Sequence, residues 1–228
     1  MMFENLQLIS IILLGIISSY TDLKDGVIYT RIVNLFIPIG VLFNMGIAVT
    51  TNNVMVILYS ILGVITGVII GYTLNYLGLW AAGDTNLLAA YGAIVPYQFL
   101  GLSIFLNAML IAAPIIIVIS IIGNEKKKIH ELQRGEIPNT IIRKTENGIK
   151  RIEPKLENMN KENNIIEPHS DGLDKEDINK LKELQEKDLI NNKIEMRPRI
   201  KYAPFLFLGA LTLHQIGDIF YQVMIGLL

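Results

Sequence analysis

The chain contains no cysteine among its 228 residues, which excludes disulfides, Cys-ligated zinc, iron–sulfur clusters and a thiol nucleophile together. Charge is scarce as well. Only 18% of residues are charged against 51% hydrophobic, and the mean hydropathy is +0.44. That balance excludes an ordinary soluble domain and belongs to a membrane protein. The net charge of −1 gives no pull toward nucleic acid, so no such partner is expected. Three histidines, His130, His169 and His214, share no ligand spacing, so neither a metal site nor a cofactor is expected.

What charge there is lies unevenly. Lys24 and Arg31 are the only basic residues before position 126, and the other 18 of the 20 fall between Lys126 and Lys201. Sixteen of the 21 acids lie with them in residues 125–201, leaving Glu4, Asp22, Asp25, Asp84 and Asp218 outside. A bilayer core of ~30 Å takes ~20 apolar helical residues to cross. Residues 5–21 supply one short span, from Leu6 to Tyr20. Residues 32–83 are 52 uncharged positions, enough for Ile32–Val49 and Val54–Tyr76 with a turn at Thr50-Thr51-Asn52-Asn53. Residues 85–124 divide near Pro96–Gly101 into a short span from Leu87 and a full one ending near Ile122, and residues 204–228 make the last. No Lys or Arg precedes the first span and no Ala-x-Ala site follows it, so a cleaved signal peptide is not expected.

The expected fold is therefore an all-α polytopic membrane protein. It has six transmembrane helices, five in residues 1–122 and one in 204–228, and a small cytoplasmic α+β insertion at 123–203. With both termini outside, every basic residue falls in a cytoplasmic loop, as the positive-inside rule asks. Lys126-Lys127-Lys128 reads as an anchor at an anionic leaflet. In the insertion, Thr140–Lys144 and Ile149–Glu153 flank Asn147-Gly148, a hairpin signal. Lys155–His169 reads as loop. Asp174 reads as an N-cap with Leu173 and Ile178 as a hydrophobic staple, and Ile178, Leu181 and Leu184 continue an apolar helix face to about Leu189.

A carboxylate in or beside a membrane helix costs ~2.5–3.5 kcal/mol on insertion scales and by default points to function. Asp22 follows the first helix in Ser19-Tyr20-Thr21-Asp22-Leu23-Lys24, and Asp84 precedes the fourth in Ala81-Ala82-Gly83-Asp84-Thr85-Asn86. The topology puts both at the cytoplasmic boundary. Each alone has an ordinary reading, Asp84 as an N-cap and Asp22 as part of a charged turn. Two single acids at matching depth weigh against both.

These residues resemble the archaeal preflagellin peptidases within the type IV prepilin peptidases, membrane aspartic proteases of the GxGD class. The first family motif is an Asp ending the first helix, then a basic residue, then Ile-Pro-Asn; here stand Asp22, Lys24 and Ile28, with Tyr29 and Thr30 for Pro-Asn. The second is Gly-x-Gly-Asp with a Lys two positions on; here stand Ala81-Ala82-Gly83-Asp84 and Asn86. Ala203-Pro204-Phe205-Leu206 with Gly209-Ala210 is a third resemblance.

The resemblance implies catalytic Asp22 and Asp84, with Gly83 and Lys24 as active-site motif residues. It implies as substrate a preflagellin- or prepilin-like precursor with a short basic leader and an apolar helix, cut at the cytoplasmic face of the bilayer. Bacterial members carry Cys pairs and methylate their product; without cysteine that activity is not expected here.

Other residues have competing readings. His214 and Asp218, four apart, would share a helix face, as a proton relay or as a buried packing pair. Trp80 reads as an interface anchor, and Gly63, Gly67 and Gly71 as a small-residue packing face. Lys24 could neutralise Asp22 or simply snorkel. Besides a structural membrane subunit whose acids merely cap helices, two alternatives stand beside the protease. One is a presenilin or signal-peptide-peptidase relative, disfavoured because Thr21 separates Tyr20 from Asp22. The other is a small transporter or channel component using Asp84, Asp218 and His214, disfavoured because no inverted repeat is visible.

Overall fold

The computed structural model describes residues 2–77, 79–96, 100–122, 125–132, 137–138, 141–145, 148–152, 164–166, 173, 175–187, 190, 193–197 and 200–226. They form two units, residues 1–116 with 201–228, and residues 117–200.

The first unit is helical. Its elements are α1 (Met2–Asp25), α2 (Thr30–Thr51), α3 (Met55–Tyr76), α4 (Ala82–Ile94), α5 (Leu100–Ile122), α7 (Ala203–Gln215) and α8 (Ile219–Gly226). Four of these, α1, α2, α3 and α5, are long and apolar enough to cross a bilayer, or five spans exist if the bent pair α7–α8 counts as one. Six were expected. The difference lies in α4, whose 13 residues reach only about 20 Å at ~1.5 Å per residue. Lipid-facing positions of the long helices carry exposed apolar side chains, among them Leu35, Leu42, Val49, Ile61, Ile65 and Ile69.

A short helix that ends in hydrocarbon must have its last carbonyls satisfied by protein. At the end of α4 three helices supply the donors. Asn44 Nδ2 donates to Ala93 O at 2.7 Å, Ser60 Oγ to the same oxygen at 2.7 Å, and Gln7 Nε2 to Ile94 O at 2.9 Å. Gln7 Nε2 also reaches Asn44 Oδ1 at 2.7 Å, tying the caps of α1 and α2 together. The body of α4 is buried all round: Leu87, Leu88, Ala89, Ala90, Tyr91, Ala93 and Ile94 are inaccessible. A helix apolar on every face belongs inside a bundle.

The α3 glycines meet it at backbone distance. A Cβ on Gly63 would collide with the Gly92 carbonyl, one on Gly67 would lie 2.8 Å from Ala89 Cα, and one on Gly71 would lie 2.6 Å from Thr85 Cγ2. The small-residue face thus packs, and its partner is α4.

The last apolar stretch is not one helix, as the sequence suggests, but two, bent by 74°. Gly217 makes the break at φ 98°, a conformation that glycine adopts without strain. Asp218 then caps α8: its Oδ1 accepts from Tyr221 N–H at 3.0 Å and its Oδ2 from Ser103 Oγ at 2.6 Å. His214 and Asp218 consequently share no helix face. The imidazole pairs instead with Gln215 Nε2 at 2.9 Å. Trp80 is likewise no interface anchor. It is buried, its ring against Phe105 and Tyr202 with centroids 5.6 and 5.3 Å away.

The second unit holds six strands, one α-helix and one turn of 3-10 helix (Ile129–Glu131) among the described residues. Strands β1 (Glu125–Lys128), β2 (Ile137–Pro138) and β6 (Lys193–Arg197) pair antiparallel in the order β1-β6-β2. Strands β3 (Ile141–Thr145), β4 (Gly148–Ile152) and β5 (Asn164–Ile166) pair in the order β4-β3-β5. In the β3–β4 hairpin Thr145 pairs with Gly148. The connection is therefore residues 146–147, one position before the expected Asn147-Gly148 turn, and outside the described residues. Strand β5 falls inside the stretch expected as loop, where Ile165 and Ile166 supply β-branched residues.

Helix α6 (Lys175–Glu186) ends three residues short of Leu189. Leu173, Ile178 and Leu181 are buried with Ile129, Leu132 and Ile194, and Leu184 packs alongside. The expected cap, Asp174, lies outside the described residues.

Candidate active site at two helix ends

Asp22 sits in the last turn of α1, which runs past the expected Tyr20 to Asp25. Gly26 stops the helix at φ 66°, its N–H returning to Asp22 O at 3.0 Å, the left-handed end that glycine allows. A carboxylate at a helix C-terminus faces the negative end of the dipole. The opposing term comes from α7, whose first residue, Ala203, donates its N–H to Asp22 Oδ2 at 3.1 Å. Pro204 at the next position has no N–H to satisfy. This is what Ala203-Pro204 does here: it aims a helix N-terminus at Asp22.

Asp84 is not the N-cap expected of it. That position is Ala81, in extended conformation, and Asp84 stands in the first turn of α4. Its Oδ2 accepts the Ala81 N–H at 3.2 Å while its own N–H returns to Ala81 O at 3.1 Å. The carboxylate half of a capping box is present, and the helix dipole favours the ionised form. The loop ahead of it is fixed on α3: Trp80 N–H meets Leu74 O at 3.3 Å, and Asn75 Nδ2 donates to Trp80 O at 2.8 Å.

Both carboxylates are almost wholly buried, Asp22 at 3% and Asp84 at 5% exposure. Two contacts bring their helix ends together. Gly83 lies against the loop after α1, where a Cβ would stand 2.9 Å from Ile28 Cβ; this close approach is a physical reason for glycine ahead of Asp84. The Trp80–Tyr202 ring pair forms the second contact, with Ala81 bonded to Asp84 on one side and Ala203 to Asp22 on the other. Burial raises the Tyr202 phenol above its usual range, and the charge of Asp84 adds in the same direction, opposed by the indole of Trp80.

Lys24 is not drawn in. It is exposed, its ammonium 3.1 Å from Tyr20 Oη and over the Tyr20 ring. Asp218 and His214 belong to the α7–α8 break described above. Tyr202 is the residue that sequence reasoning missed. Its only signal was an aromatic directly before Ala203-Pro204, which reads equally well as an interface residue. No group of three or more potential metal ligands occurs among the described residues.

Apolar helices gathered round two buried carboxylates at neighbouring helix ends define a polytopic membrane protein with a candidate aspartic site. Residues 9–117 match the Type IV leader peptidase family, and over that segment the chain is prepilin-peptidase-like. Prepilin peptidase EppA of Methanothermobacter thermautotrophicus is 26% identical over 137 residues, 52% of this chain and 36% of that protein. The chain thus spans about a third of the length of that curated relative. No solved structure matches.

Proposed function

We propose that the protein is a membrane-embedded aspartic endopeptidase that removes a short basic leader from preflagellin- or prepilin-like precursors, with Asp22 and Asp84 as its catalytic pair. The observation that carries this reading is the pair of buried carboxylates held at two helix ends joined through Ile28–Gly83 and Trp80–Tyr202. Asp84 and the Asp22 helix end both lie within the segment that matches the leader peptidases.

Neighbouring carboxylates cannot both ionise cheaply, so the pair holds one proton between them. Asp84, in the first turn of α4, is the better placed to carry the charge. The ionised member takes a proton from water, and the resulting hydroxide adds to the scissile carbonyl carbon. The protonated member donates to the carbonyl oxygen. Collapse of the tetrahedral intermediate breaks the C–N bond, and the proton taken from water passes to the leaving amine. The two apparent pKa values belong to the pair.

In this reading the chain crosses the bilayer six times with both termini outside, α4 being the short crossing. The site lies at the cytoplasmic face, where the positive-inside rule also keeps a basic leader. Lys24 and Arg31 beside Asp22 support that orientation, as do the 18 basic residues between 126 and 201. The transporter alternative needs Asp218 as an ion site, and Asp218 is engaged in capping α8.

The test uses full-length protein in membranes with a precursor bearing a Lys-rich leader before an apolar helix. Mass spectrometry of the product should place the cut at the junction of leader and helix. No cut at that junction, with the protein inserted and folded, would overturn the assignment.

A further inference from the structure

Two dipeptides hold the two carboxylates, and they are built alike. In Trp80-Ala81 the alanine N–H goes to Asp84, and in Tyr202-Ala203 it goes to Asp22. The aromatic member of each packs on the other, planes tilted by 45°. Trp80 is also held by Phe105 at 5.6 Å and through its carbonyl by Asn75, so it is the fixed side of the pair. Tyr202 is the adjustable side, because it opens α7 and its neighbour's amide carries Asp22. Any change in ring spacing moves an amide and the carboxylate bonded to it.

We propose that Tyr202 is a positioning residue: its ring, through Trp80, sets the separation of Asp22 and Asp84. The catalytic consequence rests on the leader-peptidase reading; the geometry does not. The charge of Asp84 opposes ionisation of the Tyr202 phenol, so the ring stands within electrostatic reach of that carboxylate.

The test therefore has one arm that needs no turnover. Full-length protein carrying Cζ-labelled tyrosine is followed by NMR, and the Tyr202 signal is identified by its loss in Tyr202→Phe. That signal should track a carboxylate titration in wild type and lose it in Asp84→Asn. The second arm is kinetic. Tyr202→Phe, which keeps the ring, should stay near wild type in thermal midpoint, KM and kcat, the conservative rescue against which loss of the ring is read. Tyr202→Leu, which removes the ring, should fall about a hundredfold, the cost of a misplacement of ~1 Å. A Tyr202 signal indifferent to Asp84→Asn, Tyr202→Leu with a wild-type rate, or Tyr202→Phe as slow as Tyr202→Leu overturns the proposal. If wild type cleaves nothing, the leader-peptidase reading has failed and the NMR arm alone judges the coupling.

Discussion

At the scale of single residues the site depends on a few close approaches. Gly83 makes one of them, with Ile28 directly over the place a Cβ would take. Gly83→Ala should overpack that contact by about 1–3 kcal/mol and push the Asp84 end away from the Asp22 end. Thermal denaturation should show the loss, and cleavage should fall further than stability does. A folded Gly83→Ala that cleaves like wild type would mean that the contact does not set the spacing.

Asp22 and Asp84 stood out in the sequence because an acid near lipid is costly. Ala81, Ala203 and Tyr202 did not. Two of them act through backbone N–H groups, which leave no mark on residue type, and an aromatic at a membrane boundary has a common alternative meaning.

At the scale of elements the central piece is α4. It is gripped at backbone distance by the α3 glycines and capped in the bundle by Gln7, Asn44 and Ser60. Asn44→Leu keeps the size and withdraws two capping bonds, leaving buried carbonyl capacity unmet at about 1–3 kcal/mol. The expected outcome is a lowered thermal midpoint with the site chemistry unchanged in pH profile. Gly63→Ala should be worse, because the Gly92 carbonyl that it meets belongs to a helix with no room to retreat. Periodicity exposed this glycine face but not its partner. An uncharged stretch looks the same whether it faces lipid or other helices, and so the enclosure of α4 by its neighbours was hidden. The break between α7 and α8 was hidden for a similar reason: both sides are apolar, and Gly217-Asp218 is its one local sign.

At the scale of the whole molecule, charge placement separates a membrane unit from residues 117–200. In the sequence nearly all the charge lies in one stretch, residues 125–201. The polar lone acid of the last helix was the ambiguous part. If Asp218 is a cap and not an ion site, Asp218→Asn should leave leader cleavage close to wild type, and Asp218→Ala should cost about 0.5–2 kcal/mol of stability. Loss of an ion flux on Asp218→Asn with cleavage absent in wild type would instead favour a transporter.

The central claim is that Asp22 and Asp84 work as one unit, and groups that do so give non-additive losses when removed. The most direct measurement compares single-turnover cleavage of a basic-leader precursor by wild type, Asp22→Asn, Asp84→Asn and the double variant, each shown to be inserted and folded. Both single variants should lose about a thousandfold or more, and the double variant should be no slower than the slower single. Near-normal cleavage by either single variant, or losses that multiply in the double, would contradict the account.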